Sequence, residues 1–270
     1  MNDIIIDLTT QEKEDLTQAK VLLENPGFAI KAASYVGKPI EMLIEKVDSE
    51  MLNKATTKAL DASLDLAINS LDADQQSSKY SNLKHKIMVG VSGAAGGAFG
   101  LAALPVELPI STTIMLRSIA DIAKSEDHDL STMETQLACL EVFSLGSTKN
   151  HDDDAGESAY FATRGALAFE MKLAVDAVAN MGANAIKEGL ARGSMPVLVK
   201  LINTIASRFG ITVSEKLIAQ AVPVVGAVGG AGVNLMFIDH FQDMAKGHFV
   251  VKRLEKKYGY EKIKMAYEGI

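Results

Sequence analysis

Two uncharged apolar runs constrain this chain more than any other feature. Ile87 to Val106 covers twenty residues without a charge and holds Gly90, Gly93, Gly96, Gly97 and Gly100. Leu217 to Ile238 is the second, with Pro223, Gly226, Gly229, Gly230 and Gly232. Twenty residues is the length of a membrane-spanning helix. Glycine and alanine contribute little transfer free energy, however, and neither run carries a clear positive-inside flank. The spacing specifies close helix packing instead. Gly93 and Gly97 are four apart, as are Gly96 and Gly100, and Gly226 and Gly230. Small residues at that interval let two backbones approach. The expectation is two apolar helical segments packed on each other deep in the fold.

The rest of the chain reads as helices. It has no Trp, aromatics are 6%, and no strand-like alternation lasts more than a few residues. With 48% hydrophobic residues it can fill a real core. The fold class is all-α: a single multi-helix domain over 1–270, with N-terminal helices in 1–82 and a core in 83–270 organised around the glycine-rich segments 87–106 and 217–238.

Local signals place the elements. Thr9 and Thr10 cap a first helix, with Glu12, Glu14 and Asp15 at its positive end, running to Asn25-Pro26. Lys38-Pro39 restarts a helix through Ile40, Leu43, Ile44 and Val47, and another runs from Met51 to Leu71. Asp72 to Asn82 and Gly146 to Ser158 read as loops. Pro109 should start a helix to Lys124, and Ser131-Thr132-Met133-Glu134 is a capping box opening one to Leu145. Further helices begin near Ala159, Ala183 and Pro196. The last should stop at Arg208-Phe209-Gly210, with a new one from Val213-Ser214. Asp239-His240 should close the second apolar run, and a basic helix ends at Gly259.

Several function classes recede. The net charge of -7 argues against nucleic acid as a partner. Ile202 to Leu217 resembles a helix-turn-helix, but its second helix would run into apolar residues rather than a basic recognition face. The single Cys139 forms no internal disulfide and fits a reducing, cytoplasmic setting. Met1 to Asp7 lacks the basic and apolar regions of a signal peptide. Asn150 to Asp154 is acidic but lacks the glycine and terminal Glu of a calcium loop. No Gly-x-Ser-x-Gly elbow, phosphate loop or dinucleotide fingerprint occurs.

Polar groups follow each apolar run. Glu107, Arg117 and Asp121 follow the first; Asp239, His240, Asp243 and His248 follow the second. Arg117 and Asp121 are spaced to pair on one helix. If the two runs pack together, Glu107, Asp121, His240 and His248 could meet and bind a metal such as zinc or act as acid and base. The blander reading is a structural network of Glu107, Arg117, Asp121, Asp239, His240 and Asp243 that fixes how the two halves dock. Lys246 to Lys264 carries seven Lys/Arg against two Glu. A basic face near apolar surface is a pattern for anionic headgroups.

The segments Glu107-Leu108-Pro109, Arg117 to Ala123, Val142 to Gly146 and Ser158 to Arg164 resemble the EcsC family, as do Arg208-Phe209-Gly210, Val213 to Lys216, Val222 to Ala227, Asn234, Asp239 to Gln242, Gly247 to Phe249, Arg253 to Glu255 and Tyr258-Gly259. The resemblance covers roughly residues 30 to 260. It implies a bacterial cytoplasmic or membrane-peripheral protein, with a link to transport systems, and supplies no catalytic residues. Together these readings favour a non-enzymatic lipid-binding or membrane-associating protein, cytoplasmic and peripheral to the inner membrane, accessory to a transport or envelope system. Its partners would be membrane lipid and a transport protein. Gly93, Gly97, Gly100, Gly226, Gly230, Lys252, Arg253, Lys256 and Lys257 would make the lipid contact. Bound lipid is the expected ligand, no cofactor is expected, and a metal is left open. The alternatives are a metal-dependent hydrolase using the Glu/Asp/His set, and a protein-interaction scaffold.

Overall fold

A computed structural model describes residues 8–24, 49–71, 104–146, 158–221 and 226–270, with the side chains of 220–232 outside that description. The loops expected at 72–82 and 147–157, the helix restart at Lys38-Pro39, Pro223, and Gly93, Gly97 and Gly100 all lie outside the described residues. Among the described residues the fold is all-α. It comprises α1 Thr10–Glu24, α2 Ser49–Asn69, α3 Leu104–Ser125, α4 Met133–Glu141 with a 3₁₀ turn Val142–Ser144, α5 Ala159–Val178, α6 Ala183–Ala191, α7 Pro196–Ala221, α8 Gly226–Tyr258 and α9 Tyr260–Glu268.

Helix starts follow capping chemistry. The Thr9 hydroxyl accepts from the Glu12 N–H at 3.2 Å, and the Glu12 carboxylate accepts from the Thr9 N–H at 2.9 Å. That reciprocal pair satisfies two orphan donors of the first turn. The cap of α4 is Thr132, one residue later than the Ser131 reading, and it accepts from Thr135 N–H. Ser131 instead donates its N–H and hydroxyl to Asp129. Ser158 caps α5 in the same way.

Three helices are longer than local signals predict. α3 begins at Leu104 and carries Pro109 inside its second turn, where only one early hydrogen bond is lost. α7 runs unbroken through Gly210, so the resemblance to a helix-turn-helix has no turn. Gly210 faces α2, with Thr56 and Leu52 side chains 3.8–3.9 Å from where a Cβ would sit. There the missing side chain serves a close helix contact, not a turn. α8 passes through Asp239-His240 for thirty-three residues. Tertiary packing on both sides of these points outweighs the weak propensity of single residues.

The second glycine-rich run supplies the last described residues of α7 and the first of α8, with 222–225 outside the described residues. α8 packs against α1, α3, α7 and α9, while α2 packs on α3 and α7. At the centre four buried phenylalanines meet: Phe143 from the 3₁₀ turn, Phe209 from α7, and Phe237 and Phe241 from α8. Their ring centroids lie 5.0–6.2 Å apart in tilted or edge-on pairs, the arrangement aromatic quadrupoles favour. Farther along α8, Gly247 seats α1: a Cβ there would come within 2.6 Å of Leu23 and 3.0 Å of the Ala19 carbonyl.

Candidate functional site

Two arrangements of polar groups stand out, and neither is the four-residue set read from the sequence. The first sits where the apolar runs converge. Glu107, in the first turn of α3, accepts from the Lys216 ammonium of α7 at 3.0 Å. Lys216 is only 4% exposed and lies over the Phe237 ring at 4.9 Å. One ion pair thus ties the residues that close the first run to the flank of the second. Large apolar side chains are exposed near both ends of this tie: Val106 (67%) and Ile110 (36%) flank Glu107 on α3, and Leu235 (61%) lies two residues before Phe237 on α8. Pro105, Ile114, Met236 and Ile238 are half-buried. This contact joins only the described flanks of the two runs; the body of the first run lies outside the described residues.

The second arrangement is a buried ring of side chains that sequence reading missed. Arg164 of α5 grips Glu255 of α8 through two hydrogen bonds of 2.6 and 2.9 Å. It also donates to the Tyr160 hydroxyl at 3.2 Å and lies 4.0 Å from Glu141 of α4. Arginine only donates, so the Tyr160 hydroxyl accepts from it and donates its own hydrogen bond to His248 Nδ1, 3.0 Å away. The imidazole then carries its hydrogen on Nε2, which faces Glu141 Oε2 at 3.5 Å. The result is a chain of hydrogen bonds from guanidinium through phenol to imidazole, with the Glu141 carboxylate near its end without a hydrogen bond to Nε2, and it knits α4, α5 and α8. Burial holds His248 well below the usual histidine range, and Arg164, Lys252 and His128 push it the same way. Burial also drives the Tyr160 phenol upward. Arg164 lies over the rings of Tyr160, Phe161 and Tyr260 at 5.3–5.7 Å. The signal available in the sequence was a lone charge in an apolar stretch: Glu141 between Leu140 and Val142, and Arg164 within Ala159 to Phe169.

This ring makes stability depend on pH. A histidine held neutral by the fold disfavours nothing above 6.5, its ordinary value. Below 6.5 the unfolded chain takes up a proton that the native state refuses, so stability falls by about 1.4 kcal/mol per pH unit for this one group. Urea denaturation between pH 7.5 and 5.5 should show that slope, and His248→Gln, which keeps an acceptor and a donor, should lower it by one proton. An unchanged slope would show that His248 is protonated in the native protein.

The structure distributes the predicted set widely. Glu107 and Asp121 lie fourteen residues apart on α3, about 21 Å, and Asp121 is exposed. His240 and His248 are eight residues apart on α8, about 12 Å. His240 is buried against Gly146, whose φ is +74°; a Cβ at Gly146 would lie 2.5 Å from His240 Cε1 and 2.9 Å from Met244 Sδ. Asp239 is exposed, and Asp243 pairs with Lys246 at 3.5 Å. Gln242, beside them, ties α8 to Ser118 of α3 at 2.9 Å. Among the described residues no three His, Cys, Asp or Glu side chains are grouped to hold a metal ion. Cys139 is buried, which pushes its thiol up to about 12.

The basic stretch takes a different place from the expected one. Arg253 bonds both Asp15 of α1 and Glu126 at 2.8 Å, and Lys257 bonds Glu12 at 2.7 Å. That bond, with the Thr9 N–H and Tyr258, holds the Glu12 carboxyl down at about 2. These cations fasten α1 to α8. Lys252 lies seventeen residues beyond Leu235 on one straight helix, about 25 Å from the apolar end. Lys252, Arg253, Lys256 and Lys257 therefore do not flank the apolar surface. Gly226 and Gly230 open α8 at the apolar end itself.

Among the described residues one helix stretch, Pro196–Ala219, is long and apolar enough to cross a membrane, with 56% of its most apolar window buried inside the fold. A model of the EcsC protein family matches residues 17–254. No curated protein and no solved structure matches the chain.

Proposed function

The chain belongs to the EcsC protein family, and we propose that it is a non-enzymatic, membrane-peripheral protein that meets lipid through the apolar end formed by α3, α7 and α8. The observation that carries this reading is the Glu107–Lys216 pair, which gathers the flanks of both glycine-rich runs around exposed Val106, Ile110 and Leu235. Exposed large apolar side chains clustered at one end are uncommon on a protein surface unless something covers them. The lone thiol is in keeping with the cytoplasmic side of the membrane. The buried Arg164 ring and the wide spacing of Glu107, Asp121, His240 and His248 lend the hydrolase reading no support. A protein scaffold is the second reading, favoured by Phe169, 71% exposed beside Leu173 on the outer face of α5.

Co-sedimentation of the full chain with vesicles tests the proposal. The wild type should pellet with them, and Val106→Glu combined with Leu235→Glu should weaken partitioning by about tenfold or more, since each site loses an apolar contact and gains a charge. Both sites are exposed, so unfolding midpoints should barely move. A wild type that stays in the supernatant, or a variant that pellets equally well, removes the membrane reading.

A further inference from the structure

The apolar end is flanked by a groove that the lipid reading does not use. It lies between the first half of α2 and the start of α3, holds about 500 Å³, and is lined by Glu50, Met51, Lys54, Ala55, Lys58 and Pro105. Met51, Ala55 and Pro105 make an apolar floor. Lys54 and Lys58 stand one turn apart on the same face of α2, on the rim. Pro105 belongs to the first turn of α3, so the groove also meets the positive end of a twenty-two-residue helix. The next residue, Val106, is 67% exposed, the most of the apolar side chains described at this end.

The lining carries two ammonium groups and one carboxylate, Glu50. Lys54 pairs with Glu50, but both side chains are more than three-quarters exposed and the pair is worth little in water. Lys58 makes no hydrogen bond or ion pair with any described residue and is exposed. An apolar floor, two ammonium groups on one edge and a helix start are complementary to a phosphate carried on a hydrophobic stem. The stem would lie toward Val106 and the phosphate toward the lysines, the order in which these groups occur across a bilayer interface.

We propose that this groove takes the phosphate-bearing headgroup of an anionic lipid, with Lys54 and Lys58 supplying the counter-charge. The proposal rests on the membrane reading above and adds to it a lipid class and two residues. The floor is what separates a lipid headgroup from free phosphate, which has no use for Met51 or Pro105.

The test compares full-length protein on phosphatidylcholine vesicles with and without phosphatidylglycerol. The wild type should prefer the anionic vesicles. The double substitution Lys54→Gln and Lys58→Gln should abolish that preference, about fivefold per lysine and roughly thirty-fold for both, while binding to pure phosphatidylcholine stays as it was. Lys172→Gln with Lys262→Gln makes the same change in net charge elsewhere and should leave the preference intact. If the two doubles behave alike, the groove is not the site and the membrane reading stands. If the wild type binds neither vesicle, the membrane reading itself fails and takes the groove with it. In a third arm, titration with inorganic phosphate and with short-chain phosphatidylglycerol below its micelle concentration should show lysine-dependent binding of the lipid alone. Equal binding of inorganic phosphate would overturn the headgroup assignment.

Discussion

Replacing Arg164 with methionine should cost about 3–5 kcal/mol of folding free energy. The guanidinium bonds Glu255 and Tyr160 and is the cation of the ring that lies near Glu141, at 4.0 Å. Methionine fills much of the volume but leaves two carboxylates without their counter-charge in a nearly dry site. The cost comes mainly from that uncompensated charge rather than from the loss of favourable pairing. Three further substitutions separate the causes. Arg164→Lys keeps the charge but loses the two-pronged grip on Glu255, and should fall between wild type and methionine. Arg164→Met joined to Glu255→Met should recover part of the loss, because it removes one of the stranded charges. His248→Phe should hurt less than Arg164→Met, since no ion is left alone. Urea titrations of the four proteins would read these differences directly. A loss under about 1 kcal/mol for Arg164→Met would mean that water reaches the ring and screens it.

The second large effect belongs to the aromatic centre. Phe241→Ala should destabilise by about 3–5 kcal/mol. Phe241 is fully buried and its ring meets Phe143, Phe209 and Phe237 within 5.6 Å. Truncation removes one partner from three edge or tilted contacts and opens a void that helices on three sides cannot close. Phe241→Leu should cost clearly less, because it retains most of the apolar volume. The neighbouring Phe209→Ala should be of similar size alone, yet the double substitution should cost less than the sum, since the two share one cavity. Full additivity in thermal or urea unfolding would show that the two rings pack independently.

Much of this architecture could be read from the sequence, and the shortfalls have physical reasons. α1, α2, α5 and α6 begin within a residue or two of their expected starts, because Thr9, Ser158 and the apolar spacing act locally. The misjudged boundaries are those where a breaker residue lies inside a packed contact. Gly210 reads as a turn, yet it lets α7 lie close to Thr56 and Leu52. Asp239-His240 reads as an end, yet His240 is buried against Gly146 and the helix continues for eighteen residues to Tyr258. Pro109 reads as a start because a proline's cost in the second turn is small and invisible from the sequence.

The polar groups show the same division. Glu107 reads from the sequence as a partner of the other polar groups that follow the runs, whereas it bonds Lys216, which no local spacing links to it. His248 was grouped with Glu107 and Asp121 because all three follow apolar runs, whereas its contacts are Tyr160 and Glu141. Partners separated by a hundred residues emerge only from tertiary packing. The basic stretch near the C-terminus could be counted but not located: its acidic partners, Glu12 and Asp15, sit at the other end of the chain and appeared only as helix-dipole residues.

The uninterrupted length of α8 has a mechanical consequence. Thirty-three residues at about 1.5 Å each make a strut of roughly 50 Å. Its first turns stand at the apolar end, its middle passes the four phenylalanines, and its far end is bolted to α1 by Gly247 and Arg253. A hairpin of two shorter helices would have a joint to absorb motion. A single rod has none, so a few degrees of tilt imposed where α8 begins swings its far end through several ångströms and carries α1 with it. The N-terminal helix is thereby geared to whatever displaces the opposite pole of the molecule.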